Sequence, residues 1–461
     1  MEDTIRTIVE KARAAQKVIE FWPQERVDEM VAAVGWQLYQ LSHAEACARS
    51  AVSETGMGVY EDKVLKHQKK TMGVLRDLHG LQTVGVIETD EIRGLIKVAK
   101  PVGVIGALTP VTNASSTLSS NGLPILKTRN AVIFSPHPKA KATCELTCNY
   151  MRAGLQQVGA PLDLIQNILE PSVAMTQELM KQVDLVVATG GSAMVKVAYS
   201  SGTPAYGVGA GNAVVIIDET ADLSDAAHKI FLGKTFDNAT SCSAENSVVL
   251  HESIFNTMLG FFQEHGGYLC DAIEKARLKE VMWPDGIHLS AHIVGQSAAK
   301  IADLAAIKSK REIKFLMVQG EAVGPEDMFS AEKLSPVLTL WRYQDFEEAI
   351  KLVADITRFS GYGHSCGIHS QDEAHITALA MHARVSRIMV NQVQTFGNSG
   401  NFDNGMPVAL TLGCGTWGGN IVSENVHWKH FLNTTWVSRA IAPRIPDEAV
   451  IFGDHWNKFG H

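Results

Sequence analysis

Asp184-Leu-Val-Val-Ala-Thr-Gly-Gly-Ser192 is an apolar run that breaks on two glycines and opens into a helix-patterned segment. A β-branched run ending in Gly-Gly is a strand-to-helix turn, the repeating joint of a parallel sheet. The same rhythm extends on both sides. Val102-Gly-Val-Ile-Gly-Ala-Leu108 and Asn130-Ala-Val-Ile-Phe-Ser135 read as two earlier strands and Leu162-Asp-Leu-Ile-Gln-Asn-Ile-Leu169 as a third. The quoted run is the fourth and Ala213-Val-Val-Ile-Ile-Asp218 the fifth, with helical segments between most of them. That alternation predicts an α/β protein with a doubly wound parallel sheet.

Before it, residues 1–80 read as helical, with Ile5, Val9, Val18, Ile19, Val27, Met30, Val31 and Val34 at three- and four-residue spacing. Residues 83–98 break into two β-like pieces, a hairpin-like excursion. A second α/β region begins near Thr235, with strands at 313–318, 337–341 and 386–391. The expected division is a first domain over 1–234 with the hairpin at 83–100 inserted, a second over 235–430, and a tail over 431–461.

The formal charge of −8 over 461 residues, without a basic stripe, argues against nucleic acid as a partner. Seven scattered cysteines without metal spacing favour a reducing compartment over a disulfide framework and predict no metal site. The charged, helix-patterned start is unlike a signal or transit peptide, and no apolar run approaches the roughly 20 residues that span a bilayer. A cytoplasmic protein with no membrane contact is expected.

Candidate chemistry centres on Cys242, in Phe236-Asp-Asn-Ala-Thr-Ser-Cys-Ser-Ala-Glu-Asn-Ser-Val-Val-Leu250. A cysteine between a small polar loop and a strand is placed to act as a nucleophile, although a buried structural thiol is the common alternative. Gly190, Gly191 and Ser192 leave room for a phosphate at a helix N-terminus, or make a tight turn and nothing more. Gly207, Gly209 and Gly211 imply close backbone approach to a ligand or to another segment. Thr109, Pro110 and Asn113 follow the first strand, where a carboxamide serves either an oxyanion or a turn. His137, Lys139 and Lys141 follow the second strand, where a dinucleotide's adenosine ribose lies; cations there favour the 2′-phosphate of NADP, with NAD and a merely solvated turn as alternatives.

Together and in this order, Ser135-Pro-His-Pro-Lys-Ala-Lys141, Gly207-Val-Gly-Ala-Gly-Asn212, Ser241-Cys-Ser-Ala-Glu-Asn-Ser247, Glu332-Lys-Leu-Ser-Pro-Val-Leu338 and Leu412-Gly-Cys-Gly-Thr-Trp-Gly-Gly-Asn420 resemble the aldehyde dehydrogenase superfamily. The resemblance runs along nearly the whole chain. It is to the CoA-acylating branch, including the aldehyde dehydrogenase half of bifunctional aldehyde–alcohol dehydrogenases, whose alcohol dehydrogenase half has no counterpart before His461. It implies the aldehyde dehydrogenase fold: a Rossmann-like cofactor domain, an α/β catalytic domain and a small oligomerisation hairpin, hence a homodimer or homotetramer. It also implies Cys242 as nucleophile, Asn113 and the Cys242 N–H as oxyanion donors, Glu332 on the nicotinamide ribose, and residues 190–192 near the pyrophosphate. His364 matches a histidine common in the acylating branch, either a base for the CoA thiol or a structural residue.

Hydrolytic members carry a glutamate that activates water in the segment that here reads Thr203-Pro-Ala-Tyr-Gly-Val-Gly-Ala-Gly211, without an acid. A thioester lacking a general base should persist until a thiol arrives, so coenzyme A is the expected acceptor. Glu61-Asp-Lys-Val-Leu-Lys-His-Gln-Lys-Lys-Thr-Met-Gly-Val-Leu-Arg-Asp-Leu78 and Phe402-Asp-Asn-Gly-Met-Pro407 resemble acylating sulfoacetaldehyde dehydrogenases. A sulfonate needs donors or cations once desolvated. Asn391, Gln392, Gln394, Thr395, Asn398 and Ser399, with Arg358 and Arg387, are the candidates. Acetaldehyde or another short-chain aldehyde is the alternative substrate, and a hydrolytic enzyme or a non-catalytic subunit the alternative function. Nothing at the start resembles a microcompartment-encapsulation peptide, which implies a free enzyme.

Overall fold

The computed structural model describes residues 2–461 and contains three sheets. In chain order the strands are β1 (Gly85–Asp90), β2 (Leu95–Pro101), β3 (Val104–Thr109), β4 (Ala131–Pro136), β5 (Ile165–Asn167), β6 (Leu185–Thr189), β7 (Ala205–Val208), β8 (Ala213–Ile217), β9 (Glu245–His251), β10 (Gly267–Leu269), β11 (Phe315–Gln319), β12 (Val337–Tyr343), β13 (Cys366–His369), β14 (Ile388–Val390) and β15 (Leu432–Ser438). Five form a parallel sheet in the order β5-β4-β3-β6-β7, and seven form a second parallel sheet in the order β10-β11-β12-β9-β8-β13-β14.

Strands β3, β4 and β8 are buried at every position, as a parallel sheet covered on both faces requires. The apolar stripes read from the sequence do the covering. Ile5 and Val9 of helix Glu2–Ile19, with Val27, Met30 and Val34 of helix Gln24–Tyr39, join Val132, Ile133 and Met151 in one core.

Three expectations shift. Residues 162–164 form a 3-10 turn, leaving only Ile165–Asn167 as strand. β7 was not anticipated, because Ala205-Tyr-Gly-Val is too short and glycine-broken to carry a strand signal. β8, expected as the fifth strand of the first domain, pairs instead with β9 and β13 in the second sheet. A fully buried apolar strand has no periodicity that says which sheet it joins.

The excursion at 83–100 is an antiparallel hairpin of β1 and β2, and β15 from the tail pairs antiparallel with β2. Asn130 fastens this sheet to the first core. Its Oδ1 accepts from the Val102 and Gly103 N–H groups at 2.7 and 2.8 Å, and its Nδ2 donates to the Phe431 carbonyl at 2.8 Å. Asn130→Ala leaves buried backbone groups unpaired, so a loss of about 2–4 kcal/mol in denaturant unfolding is the expected result.

Candidate active site

Helix Leu223–Thr235 ends where the chain enters a left-handed turn: Asp237, Asn238 and Ala239 have φ of 51°, 52° and 55°. Such a conformation costs a non-glycine residue roughly 1–2 kcal/mol. Asp237 supplies the restraint. Its buried carboxylate accepts from Val59 N at 2.9 Å, Lys63 Nζ at 3.1 Å and Thr240 Oγ1 at 2.7 Å, and pairs closely with Lys66. Its own N–H donates to Asp62 at 2.7 Å. The turn is thereby locked to helix Tyr60–Leu78, and Cys242 follows it just ahead of β9, a central strand of the seven-stranded sheet.

Ahead of the neighbouring strand β8, Gly211 lies against the nucleophile loop. A Cβ there would collide with the Cys242 carbonyl, so this approach requires glycine. Cys242 is half-buried, and His364, fully buried, places Nε2 3.2 Å from its Sγ. The other ring nitrogen, Nδ1, is 2.8 Å from Ser365 Oγ. Burial, reinforced by the Glu332 carboxylate and opposed by Arg387, pushes the Cys242 thiol up to about 12. Burial and the Arg387 charge bring His364 down to about 3. The pair therefore rests as neutral thiol and neutral imidazole. Arg387 is itself buried, donating to the His364 carbonyl at 2.9 Å and to Asn425 at 3.3 Å, and so supports the histidine. Glu332 shares the small cavity at Cys242 with Asn212, Lys234 and Asn246 and accepts from Gly211 N at 3.2 Å. Burial raises its carboxyl to about 8.

Asn113 is tied to helix Tyr60–Leu78. Lys66 Nζ donates to its Oδ1 at 2.9 Å, which fixes the amide and leaves Nδ2 with only a 3.4 Å contact to Thr112 Oγ1. Asn113 and Ser241 line one cleft with Leu65, Lys66, Lys69 and Lys70 of helix Tyr60–Leu78. These lysines and Asp237 were not picked out as site residues. A visible signal existed: Lys63, Lys66 and Lys70 recur at helical spacing on one face, and Asp237 precedes Cys242 by five residues.

The residues assigned to a cofactor, apart from Glu332 in the Cys242 cavity, collect at the carboxyl edge of the five-stranded sheet. Thr109 and Pro110 end β3, Gly190 and Gly191 follow β6, His137 and Lys139 follow β4, and Gly209 follows β7. Strands β3 and β6 are adjacent, with β4 on one side and β7 on the other, so this is the topological switch point where ligands of such sheets bind. The fit to a pyrophosphate is good. A Cβ at Gly190 or Gly191 would meet nothing within 4 Å, and the helix Ser192–Tyr199 that starts there has no side-chain cap. The side chain of Ser192 lies outside the described residues. His137 and Lys139 are exposed.

The substrate assignments divide. Thr395 and Ser399 line the cleft. Gln394 and Asn398 are buried and bonded to one another at 2.7 Å. Asn391 exchanges hydrogen bonds with the Ser370 backbone, Gln392 accepts from Asn404, and Arg358 is exposed at the end of helix Phe346–Phe359. None of these five is among the residues lining the cleft. Polarity in a run does not say which way each side chain turns. Cys144 and Cys148 are buried in the first core. Elsewhere Glu424, His427 and His430 bring potential ligand atoms within 4.8 Å of one another, with His430 Nε2 3.2 Å from Glu424.

The model of the aldehyde dehydrogenase family matches residues 1–406. The chain is 52% identical to a sulfoacetaldehyde dehydrogenase of Acholeplasma sp, covering 98% of this chain and 94% of that one. It is 45% identical to an acylating sulfoacetaldehyde dehydrogenase of Cupriavidus necator, covering 99% and 93%. Among solved structures, an acetylating aldehyde dehydrogenase from Geobacillus thermoglucosidasius superposes with a TM-score of 0.93 at 37% identity, over 97% of this chain and 98% of that one. A Rhodopseudomonas palustris propionaldehyde dehydrogenase, solved with bound CoA and an acylated cysteine, superposes with a TM-score of 0.85 at 27% identity, over 94% and 97%. Sequence, fold and the cysteine-centred site agree, and the chain belongs to the aldehyde dehydrogenase family, in its CoA-acylating branch.

Proposed function

We propose that this acylating aldehyde dehydrogenase interconverts sulfoacetaldehyde, CoA and NADP+ with sulfoacetyl-CoA and NADPH through a thioester on Cys242. The observation that carries the substrate assignment is the cleft beside Asn113 and Ser241, where Lys69 and Lys70, neither paired with a carboxylate among the described residues, offer amino groups that a neutral short-chain aldehyde does not need. The relatives named for sulfoacetaldehyde support the same choice.

In the oxidative direction Cys242 Sγ attacks the carbonyl carbon while its proton passes toward His364 Nε2, the neutral acceptor 3.2 Å away. Asn113 Nδ2 and the Cys242 N–H receive the developing oxyanion; Lys66 on Asn113 Oδ1 keeps that amide oriented. Residues Gly190, Gly191, His137 and Lys139 would hold NADP, which would supply the hydride acceptor needed for thioester formation. The CoA thiol then displaces Cys242 from the acyl group, and His364 is placed to take its proton. In support of CoA over water, the stretch at 203–211 is without an acid, Glu245 is occupied by Gln394 N and Thr395, and Glu332 holds Gly211 N. Glu332 is nonetheless a carboxyl raised to about 8 in the Cys242 cavity, and a hydrolytic enzyme would use it as its base. His137 and Lys139 favour the 2′-phosphate of NADP. The sheet of β1, β2 and β15, with Trp436 and Val437 exposed, suits a homodimer or homotetramer contact. No described helix is long and apolar enough to cross a membrane, and a cytoplasmic location is part of the proposal.

With sulfoacetaldehyde, CoA and NADP+, the product is expected to be sulfoacetyl-CoA by mass spectrometry; sulfoacetate formed without CoA at the same rate would establish the hydrolytic reading. Cys242→Ala should lower turnover by at least about 10³-fold, since no other nucleophile replaces the thiol. Alkylation of Cys242 by iodoacetamide in the free enzyme should accelerate about tenfold per pH unit from 7 to 10, because a thiol raised to about 12 ionises progressively over that whole window. A plateau near neutrality would reveal a thiolate–imidazolium pair instead. Lys139→Ala should raise the KM for NADP+ about tenfold and leave that for NAD+ within about twofold.

A further inference from the structure

Three lysines of helix Tyr60–Leu78 are buried, and they are not equivalent. Lys63 and Lys66 both pair with the Asp237 carboxylate. Lys70 has no carboxylate within ion-pair distance among the described residues. Its Nζ donates to the Ser399 carbonyl at 3.2 Å, to Ser399 Oγ at 2.7 Å and to the Gly400 carbonyl at 2.7 Å, all neutral oxygens. Removing an ammonium from water without an anion beside it is costly, and an apolar side chain of similar length would fill the space more cheaply. An anion arriving beside such a lysine would supply the missing counter-charge and favour its protonated form.

Lys70, Ser399 and Gly400 line the same cleft as Asn113 and Ser241, so the cation faces the passage that leads to the nucleophile loop. The spacing is suitable. Lys66 touches Asn113, and Lys70 is one helical turn further on, about 6 Å along the axis. That is the scale of a small aldehyde whose carbonyl oxygen is at Asn113 and whose other end carries a charged group. Lys66 already has the Asp237 carboxylate as its counter-ion, with Asn113 and Thr240 as further partners, whereas all three partners of Lys70 are neutral. Lys69 is exposed, its Nζ 5.8 Å from the Phe396 ring centroid, and stands where the cleft opens.

Resting on the substrate reading above, we propose that Lys70 is the specificity-determining residue of this enzyme. It accepts the sulfonate of the substrate as its missing counter-ion, with Ser399 Oγ as an adjacent hydrogen-bond partner. Selection for an anionic aldehyde thus resides in one buried charge, and Lys69 contributes only longer-range attraction.

The test compares wild type, Lys70→Met and Lys69→Met with sulfoacetaldehyde and with propionaldehyde, each with CoA and NADP+. A charge-assisted hydrogen bond removed from the bound substrate corresponds to a factor of about 10–100. In Lys70→Met the ratio of kcat/KM for sulfoacetaldehyde to that for propionaldehyde is expected to fall by that factor, mainly through KM. In Lys69→Met the ratio should move less than about threefold. Because the ratio is taken on one variant, loss of folded protein cancels. Equal losses on both aldehydes in Lys70→Met, or a larger change in ratio for Lys69→Met, would overturn the proposal. Ethanesulfonate as a competitive inhibitor separates it from the substrate reading. If wild type turns over propionaldehyde and not sulfoacetaldehyde, the substrate reading fails. Lys70 is still upheld as the anion reader if ethanesulfonate inhibits wild type and loses about tenfold or more in affinity for Lys70→Met; equal inhibition of the two overturns it.

Discussion

The buried Asp237 carboxylate is the constraint on which the site depends. Burial pushes its carboxyl up, and Lys66 and Lys63 pull it below the ordinary carboxylate range, so it remains an anion in the interior. One charge thereby holds two ammonium groups, a threonine hydroxyl and a backbone N–H from elements far apart in sequence. A left-handed turn of three non-glycine residues would not persist without such a restraint. The position of Cys242 relative to helix Tyr60–Leu78 follows from it, and with that the positions of Asn113 and the lysine-lined cleft.

The two parallel sheets contribute different parts. The five-stranded sheet offers its carboxyl edge, where loops after β3, β4, β6 and β7 gather and nothing crowds Gly190 or Gly191. The seven-stranded sheet offers the edge at which β8 and β9 begin, and Gly211 lets the two entering loops touch. The chain passes from β7 to β8 through Gly209, Ala210, Gly211 and Asn212, four residues that carry it from one sheet to the other. The stretch that holds an activating glutamate in hydrolytic relatives is therefore a crossing between sheets, beside the nucleophile.

Electrostatics around the thiol are set for restraint. A thiol pushed up by burial and an imidazole pushed down leave Cys242 protonated in the free protein. In the proposed mechanism proton movement is tied to carbonyl attack, with the Sγ–Nε2 contact as its route. Lys66 bonds Asn113 and the Asp237 carboxylate, while Lys70 has only neutral oxygens for partners, and burial brings its ammonium down to about 7. Two lysines one turn apart thus do different work because one has a carboxylate neighbour and the other does not.

The parallel-sheet alternation, the amphipathic first helices, the hairpin and the identity of Cys242 were legible in the chain, because apolar periodicity and loop-to-strand junctions are local properties. So was the absence of an acid at 203–211. Other features depend on which distant segments meet. The chain alone placed β8 with its sequence neighbours, whereas hydrogen bonding placed it in the other sheet. Asn391, Gln394 and Asn398 looked like pocket donors by composition, but their side chains turn inward to satisfy backbone and each other. Nothing local to the chain marks Lys66 and Lys70 as different from one another; Asp237 packed against one and Ser399 against the other makes them so. The sequence by itself determined the layer architecture and singled out Cys242 as the candidate nucleophile. Only the tertiary structure decided which charges are paired, because burial and ion pairing arise from contacts between residues more than a hundred positions apart.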